Sequence, residues 1–240
     1  MKGVVLYGDL GISVICSTNK VGMIWNILEN FISQDYIRKE LIIIINYDNF
    51  NLDNLPYKLP PSVQIYNLGS KISLGKCLNY GIEHSNYPII AKFDDDDYYG
   101  PHYMSDTVKS LSLKDVGIVG KSCTFVYFSD KQLIGVRNLS KENKYVNRVT
   151  GSTLMFKKEL IEKISFHDIN LGEDIQFCND CLNMGYKIFS TSRHHYVYVR
   201  NKKDKHTWKM DNDYILRRCT HIYKTYNFKE YVENSVNISQ

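Results

Sequence analysis

Four consecutive aspartates, Asp94, Asp95, Asp96 and Asp97, directly follow the short apolar run over 88–93. Carboxylates this close repel one another and raise each other's pKa, so a folded protein keeps them where positive charge offsets the repulsion. Mg²⁺ and Mn²⁺ prefer oxygen ligands, and Mg²⁺ is typically held by one or two carboxylates plus substrate phosphates. The run therefore predicts a divalent-cation site, and the alternative is a solvated acidic turn.

The position of the aspartates favours the cation site. The apolar run before them predicts a buried strand, so the acidic side chains stand at the carboxyl end of that strand. Open α/β sheets bind their ligands at that edge.

A second acidic pair, Glu173 and Asp174, follows Gly172 and opens a helix that the apolar spacing predicts over 175–184. The dipole of a helix favours carboxylates at its N-terminus. Two interpretations follow from the residues alone: ordinary first-turn helix residues, or a general base that takes a proton from an attacking hydroxyl.

Composition is that of an ordinary globular protein. The net charge of the 240 residues is +4. The apolar fraction of 43% and the charged fraction of 23% do not suggest extensive disorder. The longest apolar run, over 41–45, is far shorter than the ~20 residues that a membrane helix needs. We find no pattern of a signal peptide and read the six cysteines as reduced, with Cys178 and Cys181 as buried helix thiols rather than a zinc site. We therefore expect one cytoplasmic domain.

The hydrophobic periodicity predicts an α/β fold with a mostly parallel central sheet flanked by helices, and a small antiparallel portion in the second half. The predicted strands cover 12–17, 40–45, 62–66, 89–93, 117–128, 132–137, 151–156, 187–190 and 196–199. The predicted helices cover 23–31, 74–82, 101–113, 157–164 and 175–184.

Six short motifs in order narrow this further: SVICSTN at 13–19, ELIIIIN at 40–46, LGKCLN at 74–79, AKFDDDD at 91–97, GST at 151–153 and GED at 172–174. Together they resemble the signatures of family 2 nucleotide-sugar glycosyltransferases of the GT-A fold, over roughly residues 12–210. Each motif alone is weak, but six in the right order make a chance match improbable. The resemblance implies a single Rossmann-like GT-A domain with a nucleotide-binding half over 1–115, an acceptor-binding half over 116–210 and a helical, basic extension over 211–240.

The family's D-x-D motif falls on Asp94 and Asp96. The resemblance implies that Asp94 lies near the ribose and that Asp96 ligates the Mn²⁺ or Mg²⁺ ion bridging the donor's diphosphate. A shift of register within the run leaves Asp95 as an alternative. His206 corresponds to a histidine that completes the metal site or contacts the diphosphate in some relatives, and the alternative is an exposed loop histidine.

The resemblance also implies a nucleotide pocket formed by Thr18 and Asn19 after the first strand and by Asn46 to Asp48 after the second, together with Asp94 and Asp95. Relatives commonly have an aspartate directly after the second strand, and this aspartate hydrogen-bonds to the edge of uracil. This chain has Asn46 there, and an asparagine amide offers both a donor and an acceptor. We favour a UDP-sugar donor.

In inverting relatives the aspartate of the E-D motif is the general base, which here is Asp174, preceded by Glu173. The predicted reaction is therefore transfer of a sugar from a nucleoside-diphosphate sugar to the hydroxyl of a glycan, a lipid-linked intermediate or a protein, with inversion. We expect no nucleic-acid partner. The basic C-terminal segment is a candidate for peripheral contact with a membrane.

Three other classes of protein share part of this pattern. A haloacid-dehalogenase-type phosphatase has its Asp-x-Asp after the first strand, whereas here it follows several. A sugar-1-phosphate nucleotidyltransferase needs a Gly-rich, Arg-bearing loop after the first strand, and residues 18–22 do not supply one. A non-catalytic nucleotide- or carbohydrate-binding relative would keep the same metal site.

Overall fold

The computed structural model describes residues 10–51, 55, 58–201 and 210–233. Strands and α-helices are numbered below in chain order. They form one α/β unit with two sheets, and the larger sheet carries the acidic run.

The larger sheet has eight strands. In spatial order these are β3 (Val63–Asn67), β2 (Lys39–Ile45), β1 (Ile12–Thr18), β4 (Ile89–Phe93), β10 (Met155–Lys157), β6 (Val116–Gly120), β11 (Lys187–Ser190) and β9 (Lys144–Val146). The first four are mutually parallel. Strand β10 is antiparallel to both of its neighbours, and β11 is parallel to β6. The predicted mostly parallel sheet is therefore confirmed.

Helices cover both faces of this sheet, which explains its continuous apolar strands. Residues 41–45 of β2 are fully buried, as expected for a parallel strand covered on both sides. One face packs against α1 (Ile24–Ile32) and α3 (Tyr103–Val108), and the other against α2 (Leu74–Glu83) and α4 (Glu173–Asn183). Helices α1 and α2 place apolar residues at helical spacing on the buried side.

The smaller sheet has five strands, in the order β13 (Cys219–Lys224), β8 (Leu133–Arg137), β7 (Thr124–Phe128), β12 (Tyr196–Arg200) and β5 (Tyr98–Tyr99). Strands β7 and β8 form the predicted antiparallel hairpin, and β12 is parallel to β7. Helix α6 (Lys229–Glu233) packs on one face and α5 (Asn212–Leu216) on the other. Residues 211–233 therefore supply an edge strand of this sheet as well as two helices.

The single strand predicted over 117–128 is wrong, because it is two strands that belong to different sheets. The chain leaves β6 at Lys121, whose backbone N donates to the side-chain oxygen of Thr153 at 2.9 Å. Ser122 N donates to the hydroxyl of Ser190 at the same distance. Side-chain hydroxyls thus replace the ladder hydrogen bonds and allow the chain to cross from one sheet to the other. The strand predicted over 151–156 likewise begins with a 3₁₀ turn, Gly151–Thr153, and is extended only from Met155.

Candidate active site

A cavity of about 1210 Å³ lies between the two sheets, at the carboxyl ends of β1 and β4. Asp94, Asp95 and Asp96 of the acidic run line it, together with the Glu173–Asp174 pair. The opposite side is formed by the smaller sheet and α5, which contribute Thr124, Tyr198 and Ile215. The structure therefore brings together, in one cleft, the two acidic motifs that the sequence singled out.

Two lysines compensate the aspartates. Lys92 Nζ lies 2.5 Å from an oxygen of Asp94, and Lys20 Nζ lies 2.9 Å from an oxygen of Asp96 and 3.5 Å from one of Asp95. Burial alone would lower the pKa of Lys20, but the combined charges of Asp96 and Asp95 and its hydrogen bonds to them raise it. Part of the positive charge that the acidic run requires thus comes from the chain itself.

Asp95 is the buried member of the cavity-lining aspartates. Its side chain accepts a hydrogen bond from Thr18 Oγ1 at 2.5 Å. Burial, followed by the charge of Asp96, raises the pKa of Asp95 to about 6, although the charge of Lys20 partly offsets this rise. Loss of hydration penalises the charged form of the carboxyl and is the larger effect.

Lys92 connects the two acidic motifs. Its side chain is 5% exposed and shares the face of β4 that packs toward α4, as Ile90 does. Burial alone would lower the pKa of Lys92, but the nearby charges of Asp94, Glu173 and Asp174 raise it. In the sequence, Lys92 stands within the apolar run over 88–93. A lysine inside an otherwise apolar buried strand was the signal that could have identified it, because lysine is almost never fully buried unless it is paired.

Asp97 points away from the cavity and joins the two sheets. It is 1% exposed and accepts hydrogen bonds from Tyr196 Oη at 2.5 Å and from Val199 N at 3.1 Å, both on β12. Its backbone oxygen accepts from the side-chain amides of Asn26 and Asn30. Burial, followed by the charges of the neighbouring aspartates, raises the pKa of Asp97 well above its usual value. This aspartate has a structural position.

Glu173 and Asp174 occupy the first turn of α4, as predicted. Glu173 is buried, and this burial raises its pKa to about 7, although the charge of Lys92 opposes the shift. The Asp174 side chain lies directly over Gly151: a Cβ added to Gly151 would be 2.2 Å from Asp174 Oδ2. The 3₁₀ turn at Gly151 thus provides the space for the Asp174 carboxylate.

Four of the residues predicted to bind the nucleotide follow the first and second strands, and they do not have equal access to a ligand. Thr18 is 3% exposed, and its hydroxyl is engaged with Asp95. Asn46 donates from Nδ2 to the backbone oxygens of Gly69 and Ile72, at 2.6 and 2.9 Å. Asp48 is hydrogen-bonded through both oxygens to Ser70, which lowers its pKa. Asn19 is exposed and lines the cleft.

A second, smaller cavity of about 410 Å³ adjoins the loop after β1 and shares Asn19 with the cleft. Tyr47, Asn49, Phe50 and Asn51 line it, together with Val21 and Leu55. The Tyr47 side chain is 49% exposed. Tyr47 falls within the range Asn46 to Asp48 that the motifs predicted for the nucleotide pocket, whereas Asn49 lies beyond it, because a short run of polar residues after a strand resembles any loop.

His206 lies outside the described residues. Within the parts of the chain that are described, no group of three or more His, Cys, Asp or Glu side chains is arranged to hold a metal ion by itself.

The fold and the cleft define the class of protein: a mostly parallel sheet with an acidic run at its strand ends, facing a smaller sheet, is the GT-A glycosyltransferase fold. The sequence profile of "Glycosyl transferase family 2" matches residues 13–165, which is more than half of the chain. The chain belongs to glycosyl transferase family 2, as the motifs predicted.

Two curated relatives show how far the sequence similarity extends. The chain is 28% identical over 188 residues to a poly-beta-1,6-N-acetyl-D-glucosamine synthase of Staphylococcus aureus, covering 71% of this chain and 45% of that protein. It is also 28% identical to the O-antigen biosynthesis glycosyltransferase WbnJ of Escherichia coli, covering 72% of this chain and 74% of that protein. The chain thus spans about half the length of the synthase and most of the length of WbnJ.

Solved structures share the fold. The mannosyltransferase PcManGT from Pyrobaculum calidifontis, determined in complex with GDP-Man and Mn²⁺, aligns with a TM-score of 0.60 and 18% identity, over 83% of this chain and 59% of that chain. Residues 1–349 of S. aureus TarS align with a TM-score of 0.58 and 16% identity, over 79% and 60% of the two chains. Among the described residues of this protein, none of the helices is long and apolar enough to cross a membrane.

Proposed function

We propose that this protein is a metal-dependent, inverting glycosyltransferase that moves a sugar from a nucleoside-diphosphate sugar, with UDP-sugars favoured, to an acceptor hydroxyl. One observation carries the proposal: the acidic run and the Glu173–Asp174 pair line the same cleft, with Lys92 between them. A leaving diphosphate and an attacking hydroxyl need groups of these two kinds on opposite sides of the anomeric carbon.

The cleft chemistry fits a hard divalent cation. Asp94 and Asp96 supply carboxylate oxygens at the cavity wall, and both already attract a lysine ammonium group. Two carboxylates suffice for Mg²⁺ or Mn²⁺ when the diphosphate supplies further oxygens. When bound, the ion provides Lewis-acid stabilisation of the charge that develops on the departing diphosphate. The Mn²⁺ and GDP-Man bound in PcManGT support this assignment.

We place the nucleotide across Asn19 and the smaller cavity, beside Asp94 and Asp95. Asn49 and Asn51 supply amides that can pair with a base edge, and the exposed ring of Tyr47 offers a stacking surface. In this proposal Asn46 and Asp48 shape the pocket by holding the loop over 69–72, and Thr18 fixes Asp95. An asparagine amide can pair with the adjacent donor and acceptor of uracil, so these residues are compatible with the UDP donor that we favour.

In the transfer step, the oxygen of the acceptor hydroxyl bonds to the anomeric carbon while Asp174 accepts the proton of that hydroxyl. The bond from that carbon to the diphosphate breaks, and the nucleoside diphosphate leaves with the electron pair. General-base assistance of this kind contributes on the order of 10²–10⁴-fold. Glu173 is buried in the first turn of α4 beside Asp174, and burial raises its pKa to about 7. In its ionised form it adds negative charge near Lys92.

The test is release of nucleoside diphosphate. A thermal-shift screen of nucleoside-diphosphate sugars with Mn²⁺ selects the donor, and slow donor hydrolysis is then measured with and without Mn²⁺. We expect Mn²⁺-dependent release of UDP by the wild type and unchanged donor binding but no transfer by Asp174→Asn. Donor binding without release of nucleoside diphosphate under any condition would identify a non-catalytic binding protein. Normal transfer by Asp174→Asn would refute the assignment of Asp174 as the base.

A further inference from the structure

One of the six motifs, LGKCLN over 74–79, has no part in the proposed reaction, yet its residues contact the loop that leads to the proposed base. The motif begins α2, and the loop, residues 166–172, is called the 166–172 loop below. Asn79 donates from Nδ2 to the backbone oxygen of Phe166 at 2.8 Å and accepts at Oδ1 from Phe166 N at 3.0 Å. Because its amide supplies both a donor and an acceptor, Asn79 holds the backbone at the start of this loop from two sides.

The N-terminus of α2 holds the rest of the loop. Leu74 N donates to Oδ1 of Asn170 at 2.9 Å, and Gly75 N donates to the backbone oxygen of Ile169 at 3.1 Å. These acceptors satisfy two of the N–H groups that the first turn of a helix leaves unpaired. A Cβ added to Gly75 would lie 1.8 Å from the backbone oxygen of His167, so the loop approaches α2 more closely than any other residue at position 75 would allow.

The same loop also packs against α4, which begins with the acidic pair. The ring of Phe166 stacks on that of Phe177, with the centroids 4.3 Å apart. His167 Nε2 lies 2.8 Å from Oδ2 of Asp180. Since the 166–172 loop contacts both helices, the place where α2 holds it sets the position of Asp174 at the start of α4.

The segment before α2 is held by two residues beside the pocket proposed for the nucleotide. Asn46 Nδ2 donates to the backbone oxygens of Gly69 and Ile72. Asp48 accepts from both the backbone N and the hydroxyl of Ser70. The N-cap of α2 follows Ile72 directly. Helix α2 therefore connects the nucleotide pocket to the loop that precedes the proposed base.

We propose that Asn79 and Asn170 are positioning residues: through them α2 holds the 166–172 loop, and so places Asp174 where it can take the proton of the attacking hydroxyl. Asn79 does not line the cleft, so its effect on turnover passes through the loop. Asn170 does line the cleft, and its test therefore separates positioning from contact with a substrate. The proposal rests on the proposed function, because it concerns the base of that reaction.

The first experiment measures Mn²⁺-dependent hydrolysis of the UDP-sugar that the thermal-shift screen selects, because water then takes the place of the acceptor. A misplacement of about 1 Å can cost about 10²-fold in rate, and each variant keeps part of the loop's contacts, so Asn79→Ala and Asn170→Ala should each lower kcat about tenfold. The donor KM and the calorimetric affinity for UDP with Mn²⁺ should not change.

Two further variants act as controls in this assay. Asn170→Asp should keep the wild-type kcat, because its carboxylate still accepts from Leu74 N and the N-terminus of a helix favours negative charge. Asn183→Ala is the matched control, because Asn183 is exposed at the other end of α4 and does not line the cleft. It should also hydrolyse the donor like the wild type.

The second experiment follows the loop itself and needs no substrate. Hydrogen exchange of the amides over 166–176 is measured by mass spectrometry, because looser contacts raise the local opening of a segment. Exchange should be faster in Asn79→Ala and Asn170→Ala, and like the wild type in Asn170→Asp and Asn183→Ala. If Asn79→Ala does not fold, Asn170→Ala carries the test, since the Asn170 side chain is exposed.

Faster exchange with a wild-type kcat in the alanine variants would overturn the proposal, because the loop would then not control the base. A lower kcat without faster exchange, or equal losses in Asn170→Ala and Asn170→Asp, would do the same. A rise in the donor KM of Asn170→Ala would assign that side chain to the substrate instead. Failure of the proposed function is a different result: the wild type then shows no Mn²⁺-dependent UDP release.

Discussion

Replacing Gly151 with alanine should displace the proposed general base without touching the donor site. The added Cβ would lie 2.2 Å from Oδ2, 2.7 Å from Cγ and 2.8 Å from Cβ of Asp174. Because Cβ contacts below 3.0 Å essentially do not occur, the Asp174 carboxylate has to move. The Asp174 Cβ is attached to helix α4, so rotation of the side chain alone cannot relieve the whole overlap.

The size of the effect follows from this geometry. Relieving the overlap to an ordinary contact requires a displacement of about 1 Å, and a 1 Å misplacement of a reacting group can cost about 10²-fold in rate. We therefore expect kcat for transfer to fall about 100-fold. The affinity for UDP with Mn²⁺ should not change, because Asp94 and Asp96 follow a different strand. Overpacking should lower the free energy of unfolding by about 1–3 kcal/mol.

The assay is steady-state transfer with the donor selected by thermal shift, beside calorimetric binding of UDP and a urea titration. Gly22→Ala is the matched control, because nothing lies within 4 Å of a Cβ at Gly22. In the Asp174→Asn background, Gly151→Ala should cause little further loss of activity, since residues that act as one unit are non-additive. Wild-type kcat in folded Gly151→Ala protein would refute the reasoning that the position of Asp174 controls the rate.

Three further substitutions test other parts of the account. Burial lowers the pKa of Lys121 to about 7. Between pH 7 and 9 the unfolded state therefore binds more protons at this lysine than the folded state does. In urea titrations, the stability of the wild type relative to Lys121→Met should rise with pH by up to about 1.4 kcal/mol per pH unit. Asp97→Ala should cost about 3 kcal/mol of unfolding free energy, because Tyr196 Oη and Val199 N both lose their hydrogen bonds to this buried carboxyl. Asp96→Ala should cost less than about 1 kcal/mol, and equal losses would contradict the separate roles of the two aspartates. Lys92→Met should cost about 2 kcal/mol, less than the roughly 3–5 kcal/mol of a fully buried pair, because the Asp94 side chain is 41% exposed. An unchanged urea midpoint would show that Lys92 does not offset the acidic motifs.

The first hundred residues could be predicted from the sequence because local pattern and tertiary structure agree there. The run over 41–45 is buried on both faces as β2, and the apolar spacing after Leu74 forms α2. The position of the acidic run at the end of β4 follows from the same pattern. Continuous apolar strands that alternate with amphipathic helices give a hydrophobic pattern that can be recognised within short stretches of sequence.

The remaining features depend on contacts between distant segments. The break between β6 and β7 is made by hydroxyls of Thr153 and Ser190, which lie 32 and 68 residues away in the chain. Lys20 reaches Asp96 across 76 residues, so a reading of the acidic run alone assigned all of its counter-charge to a metal. The structural position of Asp97 depends on β12, which no local pattern connects to the acidic run.

The central claim is that a divalent cation at Asp94 and Asp96 binds the diphosphate of a sugar donor. Calorimetric titration of UDP into the wild type and Asp96→Ala, with and without Mn²⁺, tests it most directly. The account predicts tight binding only for the wild type with Mn²⁺, and weak, metal-independent binding for the variant. Equal affinity of the two proteins for UDP in the presence of Mn²⁺ would contradict it.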